Sequence, residues 1–298
     1  MEIENGIIIK ALSGFYYVSS EDGSIIECKA RGKVRAGKEL PLAGDRVRIS
    51  RSSDTKGNIE EILPRKNSFI RPAVANIDTM VFVAANTNPV TDMFLLDKVS
   101  VIAEKSGCEF LICINKTDID SADTLYKTYS RSGFKVVRFS AATGTGKEEL
   151  LKVLFGKICV LTGNSGVGKS SILNNLMPGI DIAVNDVSEK LGRGKHTTRN
   201  VEFYPLNDTT FVADTPGFAS YEVEMIQDID KSELQDCFPD FREHIDGCRF
   251  SDCRHLKEPG CALRQAVADG LICESRYLSY TRLYEKLSLI KPWETQNQ

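Results

Sequence analysis

Apolar and polar positions alternate in short runs along the first 65 residues, broken by glycines and polar turns. Residues 3–10, 15–20, 24–30, 45–50 and 57–62 read as strands. Ile7, Ile8 and Ile9 are β-branched, and Val47 and Ile49 alternate with Arg46, Arg48 and Ser50. Five short strands without a helical period predict a small β-barrel of the OB-fold type. The stretch from Pro64 to Pro72 reads as a linker. From Asp78 the period changes. Buried-strand runs at 79–85, 110–114, 136–139, 158–161, 201–205 and 211–213 alternate with helical spacing at 92–105 and 170–176. That alternation predicts an α/β layer with a largely parallel sheet. Beyond Tyr221 the chain turns acidic and helical. Leu263, Ala266, Val267 and Leu271, then Leu278, Tyr280, Leu283 and Leu287, carry helical spacing. The expected fold is therefore multidomain α/β: a barrel over 1–66, a P-loop domain over 67–222 and a helical domain over 223–298.

Composition narrows the class. Of 298 residues, 42% are hydrophobic and 27% charged, ordinary values for a globular chain. No apolar run reaches the roughly 18 residues of a membrane span, and the first ten residues carry acids where a secretion signal needs cations. A cytoplasmic protein with no membrane partner is expected. The net charge of −3 excludes a general polyanion binder. Residues 29–56 nevertheless hold nine Lys/Arg against three acids. Nine cysteines in such a chain are not disulfides by default. Cys28, Cys108, Cys113, Cys159 and Cys273 are dispersed, as core residues would be.

Residues 163–170 read Gly163-Asn164-Ser165-Gly166-Val167-Gly168-Lys169-Ser170, followed by Ser171, between a strand and a helix. This is a phosphate loop. Glycines let backbone N–H groups curl around phosphate oxygens, Lys169 reaches the β/γ-phosphates and the Ser170 hydroxyl binds Mg²⁺. Asn115-Lys116-Thr117-Asp118, at the end of another strand, selects the base. A carboxylate at Asp118 matches the paired donors of guanine, which adenine lacks. The Lys116 stem can lie along the base, and Asn115 can tie this loop to the phosphate loop. Ser140-Ala141-Ala142 would offer a backbone N–H to the guanine carbonyl. In Asp214-Thr215-Pro216-Gly217, Asp214 suits the Mg²⁺ shell and the Gly217 N–H suits the γ-phosphate. The polar segment 181–199 fits a switch loop in which Thr198 or Thr197 binds Mg²⁺. Phe218 stands where a water-orienting Gln often stands, so either hydrolysis is intrinsically slow or another group, with His196 the candidate, supplies that function. The motif order, with 115–118 ahead of 163–170, is permuted relative to most GTPases.

Cys248-x4-Cys253-x-His255-x5-Cys261 supplies four ligands within 14 residues. Thiolates plus imidazole suit one tetrahedral Zn²⁺, and four protein ligands leave no open position, so the site reads as structural. Cys237, His244 and Cys273 are spare candidates.

The permuted order, the GNSGVGKSS loop, the KHTT and DTPGF segments and the cysteine–histidine cluster together resemble the ribosome small-subunit-dependent GTPases, the RsgA/YjeQ family, over nearly the whole chain. The resemblance implies an OB-fold that contacts ribosomal RNA. It also implies GTP hydrolysis stimulated by the 30S subunit late in its maturation, a catalytic switch histidine matched by His196, and zinc on Cys248, Cys253, His255 and Cys261. GTP and GDP, Mg²⁺, the 30S subunit and 16S rRNA are the expected partners of a monomer. Lys29, Arg31, Lys33, Arg35 and Lys38 form the expected RNA-contacting loop. The competing reading is a nucleotide-gated RNA-binding module whose hydrolysis is incidental, separated from the first by whether the subunit raises turnover. A P-loop ATPase or kinase would instead need equal affinity for GTP and ATP.

Overall fold

The computed structural model describes residues 3–35, 40–179, 201–215 and 229–289. At the N-terminus β1 (Ile3–Leu12), β2 (Phe15–Ser20), β3 (Ile25–Ala30), β4 (Arg46–Ser53) and β5 (Lys56–Ile62) close into a barrel in the order β1-β2-β3-β5-β4. A short helix, α1 (Gly32–Arg35), follows β3. Four residues are too few to show a 3.6-residue period, so sequence pattern did not reveal it. Its buried Val34 joins Ile8, Val18, Ile26, Cys28, Val47, Ile49 and Ile59 in a core belonging to the barrel alone. The pairing register of β1 slips between Ile8 and Lys10. Strand alternation would send consecutive residues to opposite faces, one of them to solvent. Here both neighbours are buried: Ile8 in the barrel, Ile9 in the core beneath the adjoining sheet.

The expected linker is a fastened seam. It carries a two-stranded ribbon, β6 (Ser68–Phe69) with β7 (Val74–Ala75). Arg65 donates to both oxygens of the fully buried Asp45 carboxylate, at 2.7 and 2.8 Å. Asn76 Nδ2 donates to the Gly44 carbonyl at 3.1 Å, and Ala75 N to Ala43 O at 2.9 Å. Gly44 has φ +92°, and a Cβ there would lie 2.0 Å from the Ala75 oxygen. Backbone and side-chain hydrogen bonds fasten this seam, and they leave no periodic hydrophobic signal.

The second region runs β8 (Thr79–Ala84), α2 (Met93–Lys105), β9 (Glu109–Ile114), α3 (Asp123–Arg131), β10 (Lys135–Arg138), α4 (Lys147–Leu154), β11 (Ile158–Thr162), α5 (Lys169–Leu176), β12 (Phe203–Asn207) and β13 (Thr210–Asp214). Its sheet has the order β10-β9-β8-β11-β13-β12. All neighbours are parallel except β12 with β13, whose register shifts between Pro205 and Asn207. Successive strand residues feed two cores. Val81, Val83, Leu111 and Leu161 pack with residues of α4 and α5. Met80, Phe82, Ile112 and Val160 pack with α2 and α3. Chain order reverses between β8 and β11, which creates the crevice where parallel α/β sheets bind ligands.

The C-terminal region has two 3-10 turns (Leu234–Cys237 and Pro239–Phe241), α6 (Arg242–Ile245), α7 (Ala262–Ala268) and α8 (Glu274–Leu289). Its buried Leu234, Phe238, Phe241, Leu263 and Leu283 are continuous with the α2 side of the sheet core. Leu271 and Leu278, expected on the apolar stripes, are exposed. Leu271 lies past the end of α7, and Leu278 is on the outer side of α8. Among the described residues, no helix is long and apolar enough to cross a membrane.

Candidate functional site

The loops after β8 and β11 meet at the crevice. The glycines of the phosphate loop have positions only they can fill. Gly163 has φ +126°, and a Cβ there would lie 2.3 Å from the Val83 oxygen of β8. Gly168 has φ +96°, and its Cβ would lie 2.3 Å from Asn115 Nδ2. That space lets the buried Asn115 side chain enter. Its Nδ2 donates to the Val167 carbonyl at 2.8 Å, and its Oδ1 accepts from Ala141 N at 3.0 Å. One amide thereby joins the 115–118, 140–142 and 163–170 segments, which lie far apart in sequence. Asp118 accepts from Ser140 Oγ at 2.6 Å, so its carboxylate is oriented. Thr117 donates to the Phe139 carbonyl at 2.9 Å. Lys116, in the left-handed region at φ +63°, donates to Gly166 O at 2.9 Å and to the Asn88 carbonyl.

Lys169 donates to the carbonyls of Gly163 and Asn164 at 2.9 and 3.0 Å. Burial pulls its ammonium below the ordinary lysine range, against the raising field of Asp214. Ser170 Oγ donates to Asp214 Oδ2 at 2.8 Å. Among the described residues, none donates a hydrogen bond to the buried Asp214 Oδ1. A hydroxyl beside a half-satisfied carboxylate fits a hard divalent cation. Thr215 Oγ1 donates to the Leu161 carbonyl at 2.8 Å and holds the end of β13. Asn164, Ser165 and Ala142 lie on the same loops, and Ser171 follows Ser170 in α5. His196, Thr197, Thr198, Gly217 and Phe218 lie outside the described residues. Two contacts were not anticipated from sequence: the Asn88 carbonyl on Lys116, and Asn175 of α5, whose Nδ2 donates to Ala141 O at 3.3 Å. Neither belongs to a motif, so only the fold reveals them.

In the C-terminal region the ligand atoms of Cys248, Cys253, His255 and Cys261 lie within 4.8 Å of one another. Cys248 and Cys261 sulfurs are 3.9 Å apart, and His255 Nδ1 is 3.5 and 3.4 Å from them. A tetrahedron with metal–sulfur bonds near 2.3 Å has edges of about 3.8 Å between sulfurs and about 3.6 Å from sulfur to nitrogen. The cluster therefore fits a four-coordinate metal ion, a set compatible with zinc. His255 Nε2 is 2.9 Å from Gln235 Oε1, an outer partner that fixes the ring and leaves Nδ1 for the metal. Sequence spacing gave no hint of Gln235, which lies 20 residues from His255. Burial lowers the His255 pKa and so favours the neutral ligand form. Burial also pushes the Cys253 thiol up to about 12, so metal entry must displace protons. Cys237 is buried outside this group, and His244 and Cys273 also stand apart.

The candidate RNA contacts are less uniform than a basic loop. Lys29 is in β3, exposed, with its ammonium 5.0 Å from the Phe15 ring centre. Arg31 is paired with Glu60 at 2.9 Å, which neutralises part of the patch. Lys33 and Arg35 fall on α1, and Lys38 lies outside the described residues.

Known proteins resemble this chain over nearly its whole length. The family described as RsgA GTPase matches residues 62–224, and the RsgA N-terminal domain matches residues 5–59. The small ribosomal subunit biogenesis GTPase RsgA of Caldanaerobacter subterraneus subsp. tengcongensis is 45% identical over 96% of this chain and 97% of its own. That of Ruminiclostridium cellulolyticum is 42% identical over 97% and 95%. Among solved structures, YjeQ from Thermotoga maritima superimposes with a TM-score of 0.82 at 37% identity, covering 97% of this chain and all of its own. YloQ, described as a circularly permuted GTPase, gives 0.78 at 35% identity over 98% and 97%.

Proposed function

The chain belongs to the RsgA GTPase family, and from that premise we propose that it hydrolyses GTP in biogenesis of the small ribosomal subunit, with 30S binding as the trigger. The observation that carries the reading is the Asn115 side chain, which holds the base-reading and phosphate loops in one crevice. In that crevice Asp118 reads the guanine edge, Ala141 and Ala142 approach its carbonyl, and the N–H groups of residues 163–171 cradle the phosphates. Lys169 exchanges its two loop carbonyls for phosphate oxygens. Ser170 and Asp214 would hold Mg²⁺, with Thr198 completing the set in the GTP state; the ion neutralises developing charge on the phosphates. Gly217 senses the γ-phosphate, and His196 orients the attacking water.

Cys248, Cys253, His255 and Cys261 hold one zinc ion in a structural role, since no ligand position stays open. Lys29 and its basic neighbours Arg31, Lys33, Arg35 and Lys38 contact 16S rRNA, and the chain acts as a cytoplasmic monomer. Phosphate contacts of this kind make binding steeply salt-dependent.

The test is steady-state GTP turnover with and without purified 30S subunits at low salt. Stimulation on the order of 10³-fold or more is expected, as for other completed GTPase sites. His196→Ala is expected to keep GTP binding and lose most of the stimulated turnover. Tight GTP binding with turnover indifferent to the subunit would refute the trigger.

A further inference from the structure

A continuous set of contacts runs from the metal cluster to the nucleotide crevice. Its middle is Arg276 of α8, a fully buried side chain. The guanidinium donates to Asp97 Oδ1 on α2 at 2.7 Å and to both Asp240 oxygens at 2.7 and 3.2 Å. The rings of Phe238 and Phe134 stand 4.7 and 5.0 Å from its carbon centre. Two acids and one cation in an aromatic box have one well-satisfied arrangement. Withdrawing the arginine would leave two buried carboxylates without their counter-charge, with Tyr129 still donating to Asp97 at 2.9 Å. Any displacement of α8 must therefore be followed by α2.

Both ends of this link are fastened. At the metal end, Tyr277 and Tyr280 of α8 donate their hydroxyls to the carbonyls of His255 and Arg254, at 2.7 and 3.0 Å. At the crevice end, α2 grows out of the loop after β8. Thr91 closes that loop by accepting from Ala85 N at 2.8 Å, and its Asn88 carbonyl holds Lys116. A bound metal gathers three thiolates and an imidazole; without it, only burial and the hydrogen bonds from Tyr277, Tyr280 and Gln235 hold them together. Metal thus favours the closed lobe, and the closed lobe favours the seated Lys116.

We infer that metal occupancy of the Cys3His cluster and guanine-nucleotide binding are reciprocally coupled, with Arg276 the positioning residue that carries the coupling through α2. This rests on the guanine reading of the crevice. By linkage, each ligand must tighten the other by the same factor.

The test uses the full chain. GDP affinity is titrated with zinc bound and after a chelator has removed it, and zinc affinity is measured by chelator competition with and without GDP. Zinc removal is expected to weaken GDP about 5- to 50-fold, and GDP to tighten zinc by the same factor. In Arg276→Met, GDP affinity should no longer depend on zinc although zinc still binds. Should that variant fail to fold, the double variant Tyr277→Phe with Tyr280→Phe removes only two hydroxyls and should shrink the factor at unchanged circular dichroism. Equal GDP affinity with and without zinc, in a chain that keeps its native circular dichroism, overturns the inference and leaves the guanine reading standing. Unfolding of the whole sheet on zinc removal also overturns it, because the coupling would then be global. Failure of the zinc-loaded chain to bind GDP at all removes the guanine reading itself, and the inference with it.

Discussion

The barrel and the metal lobe flank the same sheet but are built on opposite principles. Among the described residues, the barrel encloses eight buried apolar residues of its own and joins the sheet through Ile9 and through backbone and side-chain hydrogen bonds along a seam. Among the described residues, the lobe has no separate core. Its Phe238, Phe241, Cys253, Cys261 and Tyr280 form one cluster with the α2 side of the sheet, and the metal ligands sit at the edge of that cluster. The difference teaches which damage stays local. A lesion in the barrel interior should remain there, whereas a lesion in the lobe should be felt by the sheet.

The largest expected effect is at Arg276. Arg276→Met leaves Asp97 and Asp240 buried without their counter-charge and should cost about 3–5 kcal/mol. Denaturant unfolding should show sheet and lobe lost together; a separate early transition of the lobe, with the sheet untouched, would break the comparison. Next come Ile8→Ala and Ile9→Ala, each expected to cost roughly 2–5 kcal/mol as buried large-to-small changes. Although adjacent, the two should act on different regions. Hydrogen exchange should rise in β2 and β4 for the first and in β12 and β13 for the second, and identical patterns would show that the two cores are one. Gly44→Ala combines a positive φ with a backbone clash and should cost more than about 1 kcal/mol. Its mark should be faster proteolysis near residues 63–76, with both cores still protected. The smallest effect is expected at the half-exposed Lys10–Glu202 pair, 2.8 Å long. A double-mutant cycle of Lys10→Met and Glu202→Gln should give no more than about 1 kcal/mol. A larger value would mean that the barrel is held to the sheet by charge.

What the sequence revealed and what it hid divide along physical lines. Barrel strands were legible because β-branched alternation is a local pattern. The phosphate loop, the 115–118 segment and the Cys-His spacing were legible because their chemistry requires fixed intervals. Arg276 was not. On an amphipathic helix that also carries Arg282, Arg276 reads as surface, and its burial depends on Asp97 and Asp240, 179 and 36 residues away. The seam was hidden for a similar reason. Arg65 and Asn76 look like loop polarity until their partners, Asp45 and the Gly44 carbonyl, are known. Gln235 behind His255 and the Asn88 carbonyl beneath Lys116 are likewise tertiary facts.

The margins of the sheet carry a consequence of their own. On one side the outermost strand, β12, contains Pro205, which has no N–H to offer, and an interrupted register. Its start is already taken, because Glu202 bridges to Lys10 of the barrel. On the other side β10 is only four residues long and begins with an exposed lysine. Short, charged or proline-bearing borders are poor templates for another chain to add a strand. At high concentration these borders disfavour growth of the sheet into stacks or fibres.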